Sequence, residues 1–281
     1  MTLTAREVSD LLASHRLRPS RALGQNFVGD PNTVRRIARL SAVGRGGRVI
    51  EIGAGLGSLT LALAETGADV TAIEADRHLL PVLRDVLEGT AVNVVQADAM
   101  HVDWAGLLGP DPGWVMVANL PYNIATPLIA DVLDSVPQVS RMLVMVQREV
   151  GERLAAKPGD EAYGAVSVKV DYWAEASIAG RVPASVFIPR PNVESVLVRI
   201  DRRQVPAVDP ASVPPGRLFE LVRAGFAQRR KMLRRSLAGV VGPDAFDAAG
   251  ISPQSRAEEL GVEDWGRLAL ASVPVPGGAG G

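Results

Sequence analysis

Short apolar runs alternate with helical patterns along most of this 281-residue chain. The runs at 48–52, 69–73, 92–96, 115–118, 142–146, 166–170 and 196–200 are rich in Val, Ile and Leu and read as strands. Patterns at 59–65, 76–87, 126–135 and 148–156 read as helices. Unbroken apolar runs, rather than alternating ones, mark strands buried on both faces. With helices between them, they imply a mostly parallel sheet covered on both sides. The pattern changes at 204–216, where Pro206, Pro210, Pro214 and Pro215 exclude regular structure and suggest a linker. Beyond it, 218–237 and 255–270 read as helices. The expected organisation is an α/β domain over 1–203 with a basic N-terminal segment, a proline-rich linker over 204–216, and a smaller all-helical domain over 217–273. The tail 274–281 has little to bury and is expected to be disordered.

A composition of 47% hydrophobic and 22% charged residues suits a globular protein. No apolar run approaches the ~18 residues that span a bilayer, so no membrane partner is expected. Arg6, Arg16, Arg18 and Arg21 hint at a transit peptide, but Glu7 and Asp10 interrupt them and no apolar core follows. A cytoplasmic monomer is the default expectation. With zero cysteines there are no disulfides, thiolate nucleophiles or cysteine-ligated metals. The three histidines, His15, His78 and His101, are scattered, so no metal site is expected.

The net charge of −1 hides a segregation. Residues 1–50 carry +6, residues 51–180 carry −11 and residues 181–281 carry +4. Arg223, Arg229, Arg230, Lys231, Arg234 and Arg235 gather with no acid between Leu221 and Pro243. Such a cluster is either a solvated face or a grip on a polyanion, and its density favours RNA. Helical spacing would place Arg230 with Arg234, and Lys231 with Arg235, on one face opposite Met232 and Leu233.

Two motifs carry chemistry. Glu51-Ile52-Gly53-Ala54-Gly55-Leu56-Gly57 joins a strand directly to a helix, where doubly wound sheets bind nucleotide-like ligands. Ser58 stands where a dinucleotide fingerprint needs glycine or alanine, and Glu51 suits a cation better than a pyrophosphate. Glu74 ends the second strand, where a carboxylate can hold both ribose hydroxyls. Asp98 ends the third, within reach of an adenine amine. S-adenosylmethionine, with a ribose, an adenine and a sulfonium, fits all three positions. The second motif, Asn119-Leu120-Pro121-Tyr122, follows a buried run. The Asn119 side-chain oxygen and a main-chain carbonyl beside Pro121 can accept from an exocyclic base amine, and Tyr122 offers a stacking face. Asn-x-Pro is also an ordinary turn after a strand, so this tetrapeptide gains weight only from its company.

Gly24-Gln25-Asn26-Phe27, the glycine turn, Asn119-Leu120-Pro121-Tyr122 and Phe187-Ile188-Pro189-Arg190-Pro191-Asn192-Val193-Glu194-Ser195 occur in the order found in ribosomal RNA adenine dimethyltransferases. Phe226-Ala227-Gln228-Arg229-Arg230-Lys231-Met232-Leu233-Arg234 resembles that family's C-terminal basic motif, and the resemblance runs from about residue 16 to 270. It implies a Rossmann-like, seven-stranded methyltransferase sheet with a helical C-terminal domain. It also implies dimethylation of N6 on two adjacent adenosines near the 3′ end of small-subunit ribosomal RNA. Cofactor contacts carry over to Asn26, Val28, Gly53, Glu74, Asp98 and Asn119, with Gln25, Glu51, Gly55 and Ala99 beside them. The candidate catalytic set is Asn119, Leu120, Pro121, Tyr122 and Phe187, the last as a second stacking ring. Val28 stands where the family commonly has Leu, and Met232 where Thr is frequent. Three alternatives stay open: the antibiotic-resistance branch acting on large-subunit RNA, an amine-methylating DNA enzyme, and an RNA-binding assembly factor.

Overall fold

The computed structural model describes residues 2–20, 23–121 and 123–272. Two compact units emerge, one of residues 1–151 and 176–202, the other of residues 152–175 and 203–281. In chain order the strands are β1 (Phe27–Val28), β2 (Arg48–Ile52), β3 (Asp69–Glu74), β4 (Asn93–Gln96), β5 (Trp114–Asn119), β6 (Val139–Gln147), β7 (Ala174–Val182), β8 (Phe187–Ile188) and β9 (Ser195–Arg202). The helices of the first unit are α1 (Ala5–Ser14), α2 (Pro31–Leu40), α3 (Ser58–Ala64), α4 (Leu80–Val86), α5 (Trp104–Leu108) and α6 (Ala125–Ser135), with α7 (Arg148–Ala155) crossing the boundary. The second unit holds α8 (Ala165–Trp173), α9 (Pro215–Ala227), α10 (Leu233–Ser236), α11 (Pro243–Ala249) and α12 (Val262–Ala271).

Among the described residues the main sheet has seven strands in the order β4-β3-β2-β5-β6-β9-β7. β2 pairs in parallel with both β3 and β5, and β9 returns antiparallel to β6. Four successive residues of β5, Val115, Met116, Val117 and Ala118, are all buried, as expected when helices cover both faces. One apolar cluster joins Val34, Ile37 and Ala38 of α2 and Leu59, Ala62 and Leu63 of α3 to Val49, Val117 and Leu143 of the sheet. A separate two-stranded pairing sets Val28 opposite Phe187 and Phe27 opposite Ile188. It ties the N-terminal Gly-Gln-Asn-Phe segment to the Phe-Ile-Pro loop.

The second unit packs Tyr163, Leu218, Leu221, Leu233, Leu237, Trp265 and Leu268 into one core. Gly225 on α9 is required by that packing, because a Cβ there would meet the Trp265 ring at 2.5 Å. The Tyr163 hydroxyl donates to the Leu260 carbonyl at 2.9 Å, which satisfies it in an apolar surrounding.

Four sequence expectations need correction. Residues 166–170 form no strand; they lie in α8, whose Val-x-Val-x-Val spacing mimics period two. Val168 and Tyr172 are buried in the helical core and Val170 is buried too, and that packing overrides the β propensity of valine. Residues 152–175 therefore belong to the second unit, not to the first. The proline-rich stretch is no free linker: Val213 is 2% exposed and Val208 packs against Gly266. Finally, no single helix spans 218–237. It ends at Ala227, turns through 228–232 and resumes at Leu233. The tail expected to be disordered lies outside the described residues.

Candidate active site

The parallel pairing of β2 with β3 and β5 brings three strand ends together, at the edge where open α/β sheets bind ligands. Beyond β2 the chain turns back on itself through Gly53 and Gly55, at φ of +75° and +60°, values that favour glycine. The amides of Gly53 and Ala54 both donate to the Ile73 carbonyl of β3, at 2.9 and 3.1 Å. The Gly55 amide donates to Glu74 Oε2 at 2.7 Å, and the Asp76 amide to Glu74 Oε1 at 2.8 Å. Glu74 thus clamps the glycine turn with one oxygen and its own exit from β3 with the other. Each oxygen keeps a second lone pair for a ligand.

These elements enclose a cavity of about 320 Å³. Gln25, Asn26, Val28, Glu51, Gly53, Gly55, Glu74, Asp98, Ala99, Asn119 and Pro121 all line it, so the expected cofactor residues converge from five separate segments. Its charged lining consists of Glu51, Glu74 and Asp98; no basic side chain lines it among the described residues. Glu51 is 2% exposed and its Oε2 has no hydrogen-bond partner among the described residues. Burial pushes its pKa up to about 8; the Thr60 hydroxyl eases this without forming a well-made hydrogen bond, and the charge of Glu74 adds to it. Burial also raises Glu74, against the amide bonds from Asp76 and Gly55 that favour its ionised form. Asp98 is held below the usual range, first by the Met100 amide and then by His101, whose Nδ1 lies 2.9 Å from Asp98 Oδ2.

At the end of β5, Asn119 Nδ2 donates to the Asn26 carbonyl at 3.0 Å. That bond commits the amide nitrogen and turns Oδ1 into the free acceptor. The Leu120 amide continues the ladder to Met145 at 3.0 Å, and Leu120 is 2% exposed. The Pro121 carbonyl accepts from the Ile124 and Ala125 amides as α6 begins. Leu120, unlike Asn119 and Pro121, is not among the residues that line the cavity. Tyr122 lies outside the described residues. Phe187 departs from expectation: it is 4% exposed, packs with Val28, Val34 and Leu197, and is not part of the cavity lining. Its ring serves the core behind the cavity wall.

Residues 16–271 match the family of ribosomal RNA adenine dimethylases. The chain is 48% identical over 268 residues to the ribosomal RNA small subunit methyltransferase A of Cutibacterium acnes, covering 91% of this chain and 89% of that one. Its Streptomyces coelicolor counterpart is 46% identical, at 95% and 96% coverage. The chain belongs to the ribosomal RNA adenine dimethylase family. Among solved structures, a dimethyladenosine transferase from Plasmodium falciparum shares the fold at a TM-score of 0.74 and 22% identity, covering 86% of this chain and 95% of that one. The 23S rRNA methyltransferase ErmE follows at 0.67 and 27% identity, covering 88% and 99%.

Sequence reasoning missed the partners that several of these residues take in the fold. Gln25 does not point a free amide at the cavity; its Nε2 donates to Asp76 at 2.8 Å and its Oε1 accepts from the Ser20 amide at 2.8 Å. It is a brace, and the signal was an acid two residues beyond the strand-ending Glu74. His101, three residues after Asp98, was readable from spacing alone. In the second unit, Arg223, Arg229, Arg230, Lys231, Arg234 and Arg235 are all exposed. The turn at 228–232 breaks the expected common face, and Met232 is 40% exposed instead of packed. Arg229 Nε donates to Glu258 at 2.8 Å, so it is already partnered within the fold.

A buried acid with a raised pKa has a stability signature. Between the unfolded value near 4.5 and the folded value near 8, folding must take up a proton at Glu51, and stability falls as pH rises. Glu51→Gln removes this cost. The variant's stability advantage over the unliganded parent should grow across pH 5–8 by up to roughly 1.4 kcal/mol per pH unit, then level off. Thermal melts at several pH values check this; an advantage that does not change with pH contradicts the burial-driven shift.

Proposed function

We propose that this protein transfers methyl groups from S-adenosylmethionine to N6 of two adjacent adenosines in the 3′-terminal hairpin of small-subunit (16S) ribosomal RNA. The observation that carries the reading is the Asn119 amide, whose nitrogen is held on the Asn26 carbonyl while the residue itself lines an acid-lined cavity. The relatives named small subunit methyltransferase A support the choice of subunit. No helix among the described residues is long and apolar enough to cross a membrane, which accords with a proposed cytoplasmic site of action.

The cavity suits the cofactor. Glu74 can accept from the two ribose hydroxyls, Asp98 can accept from the adenine amine, and the orphaned oxygen of Glu51 calls for a cation. When bound, S-adenosylmethionine supplies an electrophilic methyl group on a sulfonium centre. Asn119 Oδ1 and the Leu120 carbonyl accept from the two N–H bonds of the target amine. This draws the nitrogen lone pair out of conjugation with the ring and aims it along the line of attack. The base must leave its stack at a cost of a few kcal/mol, and stacking in the pocket mouth offsets it. Tyr122 is the proposed stacking partner; Phe187, buried in the core, is not.

Purified small and large ribosomal subunits lacking the modification, incubated with labelled cofactor, test the reading. Two dimethyladenosines in the small subunit are expected. Methylation confined to the large subunit would instead support the resistance-type activity that the 27% identity to ErmE keeps in view. Removing the Glu74 clamp by Glu74→Ala should weaken S-adenosylmethionine binding by at least ~1.5 kcal/mol, the value of a charged hydrogen bond. Unchanged calorimetric affinity in a folded variant would take Glu74 out of the site. Asn119→Ala should abolish methyl transfer and leave RNA affinity nearly intact, because the lost interaction forms at the reacting nitrogen. Near-normal turnover would overturn the mechanism.

The exposed basic cluster is the proposed RNA grip. Neutralising Arg230, Lys231, Arg234 and Arg235 should weaken substrate binding and flatten its salt dependence. The log–log slope should fall by ~0.7–0.9 for each phosphate that the variant leaves unneutralised. Neutralising Arg229, already paired with Glu258, should change that slope least. Affinity that stays the same at every salt concentration would make the cluster a solvated face only.

A further inference from the structure

Glu51 is the carboxyl of the cavity whose burial the fold relieves least. Glu74 receives two backbone amides, and Asp98 receives an amide and an imidazole. Glu51 is 2% exposed, and its Oε2 meets no donor among the described residues. Its register neighbours, Ala72 on β3 and Val117 on β5, carry no charge. The groups that act on it are the Glu74 carboxylate from β3 and the Thr60 hydroxyl from α3. Asp98 is the third acid of the same cavity, and the segment carrying Gln25, Asn26 and Val28 adds only uncharged side chains. An ionised carboxylate here faces desolvation and like charge with no counter-ion, so in the free site it holds its proton. A cation brought into the cavity reverses that balance.

We propose that Glu51 couples cofactor binding to proton release: the carboxyl is neutral in the free site and ionises when the cationic amino-acid end of S-adenosylmethionine enters the cavity. The inference rests on the cofactor reading above and adds a linkage to it. The bond that breaks is the Glu51 O–H, its proton passes to solvent, and the carboxylate left behind pairs with the positive charge of the ligand. Because binding and ionisation are linked, affinity must climb with pH while the free site is still protonated and flatten once it is not. The raised pKa of about 8 sets that break near the upper end of the physiological range.

Calorimetric titration at pH 7 in buffers of different ionisation enthalpy counts the protons directly. The native protein should release about one proton per S-adenosylmethionine, and its affinity should rise by nearly tenfold per pH unit from 6 to 7 and level off above 8. Glu51→Gln should bind with almost no release, which also subtracts any titration of the ligand itself. Adenosine, which lacks the cationic end, should release none from either protein. Equal proton release by the native protein and the Gln variant, or an affinity independent of pH, would overturn the coupling while leaving the cofactor reading in place. Failure of S-adenosylmethionine to bind at any pH would sink the cofactor reading and the coupling with it.

Discussion

Parallel pairing of β2 with β3 on one side and β5 on the other is the constraint from which the site follows. The register Glu51↔Ala72 and Glu51↔Val117 ends the three strands at nearly the same level. It therefore puts Gly53, Glu74 and Asn119 at the rim of one crevice. A parallel sheet needs crossover helices, and these bury both faces, so the strand ends are the part of the sheet left open to a ligand. The glycine turn is then held by Glu74, and Asn119 is held by Asn26 from a segment that β1 ties to β8. The active-site geometry is a consequence of register, reinforced by a few long-range hydrogen bonds.

The same crevice concentrates negative charge. Glu51 and Glu74 are buried, and Asp98 stands at the edge. Without ligand this arrangement weakens the fold, since two carboxyls are raised by desolvation and one of them lacks a hydrogen-bond partner at Oε2 among the described residues. A site that binds a cation holds such strain in its free state and relieves it on binding. Among the described residues the charged lining of the cavity is acidic alone, whereas Arg230, Lys231, Arg234 and Arg235 are exposed in the second unit and residues 1–50 carry a further net +6. This division explains how a net charge of −1 is compatible with an RNA substrate.

What was legible in the sequence follows from burial. The central strands announce themselves because both their faces are covered, so most of their positions are apolar, as in Val115–Ala118 of β5. β7 does not, because it is a strand at the sheet edge, Ala-Glu-Ala-Ser-Ile-Ala-Gly-Arg-Val, with Ile178 45% exposed. α8 escapes a local reading since three alternating valines fit a strand equally well until the helical core around Tyr163 and Trp265 is known. Glu74 and Asn119 could be placed at the cavity because they end β3 and β5, and Gly53 and Gly55 because they form the glycine turn, whereas Gln25, Asn26 and Val28 were reached only through the family resemblance. The role of Phe187 was not legible, because a ring in a Phe-x-Pro loop is a base platform or a core residue depending on a pairing with Val28 that no local pattern encodes. Nor was the Asn119 lock, which joins residues 93 apart through a main-chain carbonyl.

The central claim is that the Asn119 oxygen, oriented by Asn26, receives the amine that is methylated. A crystal structure of the protein with a non-reactive cofactor analogue and an RNA fragment bearing the target adenosine tests it most directly. The account predicts the adenine N6 at about 2.8–3.2 Å from Asn119 Oδ1 and a similar distance from the Leu120 carbonyl, with Nδ2 still on the Asn26 carbonyl. A target amine that meets neither acceptor, or an Asn119 amide turned to donate toward the base, would contradict it.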